Sequence, residues 1–333
     1  MNGDLFGEGG ARAGGGAGRL PQIGMVQALS CGAGLYLCAR KELRTGRNGG
    51  EFLAIVLQDV TGEIAAKIFN EVDTLRQEFE AGEFVKVQAR GSGYNQGLEL
   101  LVDKIRRVHA ERDRLDGFRE EDCIRAAPRP GDEMWAELQR RVASVDDAHI
   151  RALLDRMLAA HGDKLKIWPA AQTVHHAYRS GLLEHVLKLI ETTTALADAY
   201  GARRGLLIAG VILHDIGKLQ ELNYDAVTQY SVEGNLVGHI ALGVMMLREA
   251  TAAQPDFPVA LRTELEHLIL SHHGTREHGS PVEPMTVEAV LLSVCDDLDA
   301  KLHQIHRHLT NDDSDAPFTP YHSRLKRVFY KRT

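Results

Sequence analysis

The chain has 333 residues, of which 44% are hydrophobic and 26% are charged, and its formal net charge is -7. This composition excludes a wholly disordered chain and a protein that is basic overall, although it permits a local basic patch. The sequence contains no run of about 18 apolar residues, so we expect no membrane-spanning segment. Four cysteines form no CxxC pair, which excludes a zinc ribbon and indicates free thiols in a reducing, cytoplasmic compartment.

The first part of the chain changes from a glycine-rich segment to a β region. Residues 1–20 contain eight glycines and little to bury, so we predict a flexible tail there. Residues 21–110 carry short apolar runs separated by turns, and they predict strands at 34–45, 52–59, 64–69, 84–91 and 98–108. Five short strands in about 90 residues are typical of a small barrel. The turn Asp59-Val60-Thr61-Gly62, followed by IAAKIF, resembles the turn between the second and third strands of an OB-fold.

The remainder of the chain has helical patterns. Residues 111–165 are charged and interrupted by Pro128-Arg129-Pro130-Gly131, and we interpret them as a helical linker plus the leading helices of a second domain. Residues 166–310 are predicted to be helical throughout, and residues 311–333 form a basic C-terminal tail with five cations after Asp315. The predicted fold class is therefore β plus all-α in two domains, with a small OB-fold-like β-barrel followed by an all-helical domain.

Histidine and aspartate residues mark the ends of apolar segments in the helical region. His214 and Asp215 close the apolar stretch GLLIAGVIL, where burying each of them unpaired costs roughly 2–7 kcal/mol. A bound metal removes this cost, because imidazole nitrogen and carboxylate oxygen both become ligands. Further donors border other apolar runs, namely His185, His239, His272, His273 and Asp296. Lys218 follows the His-Asp pair and adds a cation that can hold a phosphate oxygen.

This order of residues resembles the HD superfamily of metal-dependent phosphohydrolases. His185, His214-Asp215 and Asp296, together with an intact HDIGK, match the superfamily pattern. An OB-fold ahead of an HD domain is similar to the YhaM family of 3′→5′ exoribonucleases. The phrases HHAYRSGLLEHVL, EGNLVGHIALG, SHHG and CDDLDAKLH match that family.

The resemblance implies a role for each residue that matches it. His185, His214, Asp215 and Asp296 would hold one divalent cation, while His239 and His272 would hold a second, with Asp215 bridging. His273 is the weaker candidate of its pair, because neighbours on a helix point about 100° apart. Lys218 would contact the scissile phosphate. Apart from the resemblance, Asp299 lies three residues after Asp296 on the same helix face and is a candidate for orienting the ligands, although a solvated helix face is the commoner outcome for such a position. Mn²⁺ is the expected metal, and Mg²⁺, Fe²⁺ and Co²⁺ are the alternatives. The number of ions is expected to be two, and a centre with one ion is the alternative.

Substrate contacts are expected outside the ligand set. His175, His176 and Arg179 precede the first ligand and are candidates for a nucleotide pocket, although a plain surface loop explains them equally well. In the barrel, the phosphate-contact candidates are Lys67, Lys86 and Arg90, and the base-stacking candidates are Tyr36, Phe52, Phe69, Phe84 and Tyr94. Most aromatic side chains in a small barrel are core, so we expect at most two on its face. Residues 21–110 hold 11 basic and 11 acidic side chains, which does not favour tight nucleic-acid binding.

The sequence therefore predicts a metal-dependent 3′→5′ exoribonuclease that takes single-stranded RNA, or single-stranded DNA, and releases nucleoside 5′-monophosphates. One alternative is an HD phosphohydrolase of a small nucleotide or cyclic dinucleotide with a regulatory OB-fold. Another is a nucleic-acid-binding protein with an idle HD domain, which the intact ligand set disfavours. A homo-oligomer is compatible with each of these hypotheses.

Overall fold

The computed structural model describes residues 18–46, 48–94, 97–172, 176–312 and 314–332. The chain divides into two compact units. The first contains residues Met1–Ala126 together with Asp225–Val227, and the second contains Ala127–Tyr224 and Thr228–Thr333. The predicted combination of a β-barrel and a helical region is confirmed.

Five strands form the closed barrel of the first unit, in the order β1-β2-β3-β5-β4: β1 (Cys31–Thr45), β2 (Glu51–Asp59), β3 (Gly62–Ile68), β4 (Phe84–Tyr94) and β5 (Gly97–Arg107). The β3–β5 pair is parallel, and the other four pairs are antiparallel. Burial alternates along β2 and β3, as expected for strands with one face toward a barrel interior. Two short helices, α1 (Val72–Leu75) and α2 (Ala110–Asp113), accompany the strands.

The turn between β2 and β3 is built around Asp59. Its Oδ1 accepts hydrogen bonds from the backbone N–H groups of Thr61 (2.8 Å) and Gly62 (3.2 Å), and its Oδ2 accepts one from the N–H of Ile23 at 2.8 Å. The aspartate thus satisfies three backbone donors, which explains why the carboxylate is buried at this turn.

The chain ahead of the first strand belongs to the barrel core. Leu20, Ile23 and Val26 are buried among the barrel side chains, and Arg19 forms a bridge with Ala33. The predicted flexible tail over residues 1–20 therefore extends too far, because Leu20 supplies an apolar side chain that the barrel buries. Residues 1–17 of that prediction lie outside the described residues.

The second unit is mainly helical. Its helices are α3 (Gly131–Ala143), α4 (Ala148–Ile167), α5 (Gly181–Tyr200), α6 (Arg204–Leu213), α7 (Lys218–Glu221), α8 (Val232–Val237), α9 (His239–Ala252), α10 (Val259–Ser271) and α11 (Val287–Thr310). The prediction that residues 166–310 are helical throughout is wrong, because loops separate several of the helices and two short strands lie between α7 and α8. The strands β6 (Leu222–Tyr224) and β7 (Thr228–Tyr230) form a short hairpin, where tyrosine and threonine favour extended backbone.

The segment over residues 111–165, predicted to contain a linker and the leading helices of the second domain, includes α3 and α4. Met134, Leu138 and Val142 lie four residues apart on one face of α3, and all three are buried in the core of the helical unit. Residues of α4 are buried in the same core. The segment from Ala127 onward therefore folds as part of the second unit, because its apolar stripes require burial.

The C-terminal residues adopt a hairpin-like arrangement. Phe318 bridges Tyr330, and His322 bridges Arg327, both in the antiparallel sense. These contacts give the predicted basic tail a defined structure over part of its length. Over the ranges given above, the structure holds no helix long and apolar enough to cross a membrane.

Candidate metal centre

The centre lies where the ends of several helices of the second unit meet. Every residue of α6 from Leu206 to Leu213 is buried, so His214 and Asp215, which follow directly, are buried as well. Gly217 makes the next turn possible, since a Cβ there would lie 2.0 Å from the carbonyl oxygen of His239. The glycine of HDIGK thus lets the start of α9 approach the His-Asp pair.

One group of possible ligands contains His185, His214 and Asp296, whose ligating atoms lie within 4.8 Å of one another. His185 is fully buried on α5, and its Nε2 is 3.2 Å from Asp296 Oδ1. Asp296 extends from α11 beside the buried Cys295. Three separate helices therefore bring one carboxylate and two imidazoles together.

A second group contains His239, His272 and His273, again within 4.8 Å. His239 is the first residue of α9, and it follows Gly238, whose φ of 77° is a left-handed value that favours glycine. His272 and His273 come directly after the last residue of α10. The rings of His272 and His273 meet edge-on with centroids 4.3 Å apart, and a ligating atom of each belongs to the group.

Asp215 lies between the two groups. Its Oδ2 is 3.3 Å from Nε2 of His214, and its Oδ1 is 3.5 Å from Nε2 of His239 and 3.7 Å from Nε2 of His272. One carboxylate oxygen thus faces each group. This is the arrangement that a bridging carboxylate requires.

The histidine rings are oriented by acceptors on their far sides. Nδ1 of His214 lies 2.7 Å from the carbonyl oxygen of Val211, and Nδ1 of His272 lies 2.7 Å from that of Ile269. A carbonyl oxygen can only accept, so each Nδ1 carries the hydrogen and each Nε2 presents a lone pair to the centre. Carboxylates play the same part for His239 and His185, through Glu221 (3.0 Å) and Asp299 (2.8 Å).

The inward-facing atoms fit a divalent cation. Among the described residues of the centre, the buried atoms that have no hydrogen-bond partner include His214 Nε2, Asp215 Oδ1, His239 Nε2, His272 Nε2 and His273 Nδ1. Leaving each such group unsatisfied costs about 1–3 kcal/mol, which a shared cation offsets. Neutral imidazoles and carboxylates are also the donor set that Mn²⁺, Fe²⁺ and Co²⁺ accept.

Charges in the centre shift the pKa values of its members. Burial opposes ionisation of Asp215, but the positive charge of Lys218 outweighs it and holds the pKa of Asp215 well below its usual range. Burial lowers the pKa of His272 strongly, which keeps its ring neutral. Although burial alone acts to lower it, Asp296 and Asp299 raise the pKa of His185 to about 9. A cation would therefore displace a proton from His185 on binding.

Lys218 lies against Asp215 and is itself nearly buried. Its Nζ donates to Asp215 Oδ2 at 2.6 Å, and this carboxylate keeps the pKa of Lys218 raised in spite of burial. Trp168 Nε1 donates to the Lys218 carbonyl oxygen at 2.9 Å and fixes the backbone there. A permanent positive charge thus stands at the edge of the ligand set.

Two carboxylates around the centre were not found from the sequence. Glu221 Oε1 accepts hydrogen bonds from both the backbone N–H and the Nδ1–H of His239, at 2.9 and 3.0 Å. Glu184 Oε2 lies 2.8 Å from Nδ1 of His176 and accepts from Tyr178 Oη at 2.5 Å. Their positions six residues after Asp215 and one before His185 are the available signals, and neither spacing is specific.

The residues predicted to bind substrate are found in several different environments. His176 is buried and its Nε2 lies 3.2 Å from Asp299 Oδ2, so it belongs to the network behind His185. His175 lies outside the described residues, and Arg179 is exposed. In the barrel unit, Lys67 pairs with Glu99 at 2.7 Å, Lys86 pairs with Asp116 at 2.6 Å, and Arg90 is exposed.

The aromatic residues of the barrel separate into core and surface. Tyr36 is buried, and Phe84 packs edge-on against Phe118. Phe52 and Phe69 stack on each other with ring centroids 5.3 Å apart, and Phe69 is 56% exposed. Of the five candidates, these two form an accessible stacking surface, while the side chain of Tyr94 lies outside the described residues.

Family models match both parts of the chain. The family model of the HD domain matches residues 182–301, and that of the OB-fold nucleic acid binding domain matches residues 36–108. Among solved structures, the second OB-fold domain of replication protein A from Methanococcus maripaludis is 22% identical, with a TM-score of 0.23. That match covers 27% of this chain and 94% of that chain.

Two curated relatives match over most of their length. The 3′-5′ exoribonuclease YhaM of Bacillus subtilis (strain 168) is 35% identical over 288 residues, which cover 86% of this chain and 90% of the relative. The protein of the same name from Bacillus pumilus (strain SAFR-032) is 34% identical over 291 residues, with the same two coverages. The chain therefore belongs to the YhaM family of 3′→5′ exoribonucleases.

Proposed function

We propose that this protein is a divalent-metal-dependent 3′→5′ exoribonuclease that shortens single-stranded RNA and releases nucleoside 5′-monophosphates. The observation that carries the proposal is the Asp215 carboxylate, whose two oxygens face two separate buried groups of imidazoles. A carboxylate shared in this way is typical of two-cation centres that cleave phosphodiesters.

The ligand assignment follows the two groups. His185, His214, Asp215 and Asp296 would hold one cation. His239, His272 and His273 would hold the other with Asp215. Cations bound there lower the pKa of a water and neutralise phosphate oxygens. We propose Mn²⁺ as the preferred ion, because imidazoles outnumber carboxylates, with Mg²⁺, Fe²⁺ and Co²⁺ as substitutes.

The side chains of the protein account for the remaining requirements of hydrolysis. Lys218 holds a positive charge beside Asp215, where it stabilises the negative charge that develops on the phosphate oxygens. Glu221 and Asp299 fix the rings of His239 and His185. Overall, the bond between phosphorus and the 3′ oxygen breaks, water supplies hydroxide to phosphorus, and its remaining proton leaves with the 3′ oxygen.

The barrel would bind the strand away from the reacting phosphate. The Phe52–Phe69 pair offers a stacking surface for unpaired bases, and Arg90 on β4 offers a cation for the backbone. The balanced charge of residues 21–110 indicates that stacking contributes more than phosphate contacts. We propose RNA as the main substrate, with single-stranded DNA as a poorer one.

The cellular setting and the assembly are also proposals. All four cysteines are free, which suits a reducing cytoplasm. An exposed apolar stripe on α11, formed by Val290, Val294 and Leu298, suits a homo-oligomer. An antiparallel pairing of two copies would place Val290 of one against Leu298 of the other, and light scattering measures the resulting mass.

The test uses purified protein and RNA labelled at either end, incubated with Mn²⁺, Mg²⁺ or EDTA. We expect stepwise shortening from the 3′ end with a metal and none with EDTA. Asp215→Ala should abolish activity and lower metal content while circular dichroism stays unchanged. Asp297→Ala is the matched control, since this exposed carboxylate pairs with Lys301. Turnover of small nucleotides without loss of strand length would instead favour the small-molecule phosphohydrolase.

A further inference from the structure

A cavity of about 300 Å³ lies at the C-terminal end of α11, outside the ligand set described above. It is formed by α11 and the hairpin-like segment that follows, and its lining is rich in hydrogen-bond donors and cations. The lining residues are Gln304, Arg307, His308, Asn311, His322, Ser323 and Arg324. Among the described residues, this lining includes two arginines and no carboxylate, so the cavity suits an anion.

The two walls of the cavity are held together by specific contacts. Nε2 of His308 on α11 lies 2.9 Å from the carbonyl oxygen of Pro320, so the ring donates to the hairpin backbone. The rings of His308 and His322 meet edge-on, with centroids 4.8 Å apart. Lys331 Nζ pairs with Asp312 Oδ2 at 3.1 Å and joins the end of the segment to the end of α11. These contacts hold together the two backbone segments that carry Arg307 and Arg324.

The segment that forms one wall of the cavity carries exposed aromatic side chains. Phe318, Tyr321 and Tyr330 are 51%, 62% and 60% exposed, although aromatic side chains of this size are usually buried. The same segment carries the cations Arg324, Lys326, Arg327 and Arg332, all exposed. Alternation of cations with accessible aromatic rings is the composition of surfaces that bind single-stranded nucleic acid.

The cavity is aligned with the metal centre along a single helix. Arg307 follows Asp296 by eleven residues on α11, which corresponds to about three turns, so the two residues point in directions about 20° apart. Their separation along the helix axis is about 16 Å at 1.5 Å per residue. Phosphates in a stacked strand are about 3.4 Å apart along the axis, so this distance spans about five nucleotides, or fewer in a stretched strand.

We propose that this cavity binds an internal phosphodiester of the RNA strand, a few nucleotides upstream of the 3′ end held at the metal centre. Arg307 and Arg324 contact the phosphate oxygens, and Tyr321 stacks on a neighbouring base. The inference rests on the proposed exoribonuclease activity, and it assigns the helical unit its own contact with the strand. The shared chemistry is a phosphate group, so free phosphate and a nucleoside monophosphate are the competing ligands.

The binding test uses full-length protein that carries Asp215→Asn, so that RNA is bound without being degraded. Arg307→Ala with Arg324→Ala should weaken the binding of a fluorescent ten-nucleotide RNA about tenfold. The slope of log affinity against log salt should fall by about 0.7, since the contact with one phosphate is lost. Arg307→Lys with Arg324→Lys should retain most of the salt slope. Arg140→Ala with Arg156→Ala, two exposed arginines of α3 and α4, is the matched control and should bind normally.

The kinetic test uses the same arginine changes in the active protein and RNA of two to ten nucleotides. The ratio of wild-type to variant kcat/KM should rise with strand length up to about five nucleotides and then level off. A ratio independent of length would overturn the proposal, as would ten-nucleotide binding equal to that of the control. If the unaltered protein shortens no RNA, the exoribonuclease assignment fails, while the binding test with the fluorescent ten-nucleotide RNA still tests the cavity.

Two further arms separate the other ligands. Inorganic phosphate or AMP at millimolar concentration should not displace the ten-nucleotide RNA beyond the effect of ionic strength. Displacement that disappears in the Arg307→Ala, Arg324→Ala variant would identify a free-anion site and overturn the proposal. Phosphatidylglycerol vesicles that bind wild type but not this variant, with RNA binding unchanged, would overturn it in favour of a membrane surface.

Discussion

Glu221 offers the sharpest test of the metal centre, because a single oxygen of its side chain accepts two hydrogen bonds from His239. Oε1 accepts from the backbone N–H and from the ring Nδ1–H, at 2.9 and 3.0 Å, and the side chain is nearly buried. Glu221→Ala removes this acceptor, so the ring loses its orientation and two donors at the start of α9 lose their partner. Carboxylates that hold a metal-ligating histidine contribute about 10–100-fold to metal affinity or activity, which is roughly 1.4–2.7 kcal/mol.

The measurement is titration calorimetry of the metal-free protein with Mn²⁺, together with metal content by mass spectrometry. In Glu221→Ala we expect one of two ions to bind 10–100-fold more weakly, since His273 and Asp215 remain at that group. Glu221→Gln keeps an oxygen that can accept both hydrogen bonds and loses only the charge, so its affinity should lie between those of the wild type and Glu221→Ala.

Glu233→Ala is the control, because this glutamate is exposed on α8. Two results would refute the reasoning. One is wild-type affinity for both ions in Glu221→Ala. The other is an equal loss of metal affinity in Glu221→Ala and Glu233→Ala, which would show that the fold is disturbed and not that the His239 ring has lost its orientation.

Two more predictions concern the barrel unit. Asp113 is fully buried and accepts two 2.7 Å hydrogen bonds from Arg106. Asp113→Asn should therefore lower the free energy of unfolding, measured in urea, by roughly 3–5 kcal/mol. The control Asp116→Asn, at an exposed carboxylate, should lower it by under about 1 kcal/mol. Burial alone raises the pKa of Asp113, but Arg106 dominates and lowers it from 3.8 to about 2. Because the pKa of Asp113 is lowered on folding, its ionised carboxylate contributes about 2 kcal/mol to the free energy of unfolding above pH 4. This contribution is lost as the pH falls toward 2. Urea titrations at pH 5 and pH 3 should show the loss in wild type and not in Asp113→Asn. Phe69→Ala should weaken the binding of single-stranded RNA by about 1–3 kcal/mol, measured by anisotropy, whereas exposed Leu43→Ala should not; equal affinities would remove the Phe52–Phe69 surface from strand binding.

The residues that sequence reasoning placed near the centre share one signal. His214, His272 and Asp296 each follow or interrupt an apolar run, and a polar group at such a position has to find a partner inside the fold. The barrel was predictable for a similar reason, since alternating burial and turn residues such as Asp59 act locally. Local patterns therefore carry both the fold class and the grouping of the donors.

Features that depend on distant parts of the chain were not predictable. Glu221 accepts from His239 because α7 and α9 pack together, and nothing in the spacing of the two residues indicates this contact. Glu184 accepts from His176 and Tyr178, which lie in the segment before α5, where no regular pattern fixes the backbone. The C-terminal hairpin has Pro317 and Pro320 in one arm, and its contacts are with α11, so no strand pattern exists to be read.

The proposed ligands are spread widely along the chain, and the amount of folded protein therefore depends on the metal supply. His185, His214, His239, His272 and Asp296 belong to, or directly follow, five different helices, so an unfolded chain does not present them together. Cations that bind the folded form alone stabilise it by about 2.7 kcal/mol at a hundred times the dissociation constant. Metal starvation would then act as a destabilising mutation does, by raising the unfolded fraction open to proteases. In a metal-poor cell, the amount of this enzyme would fall together with its activity.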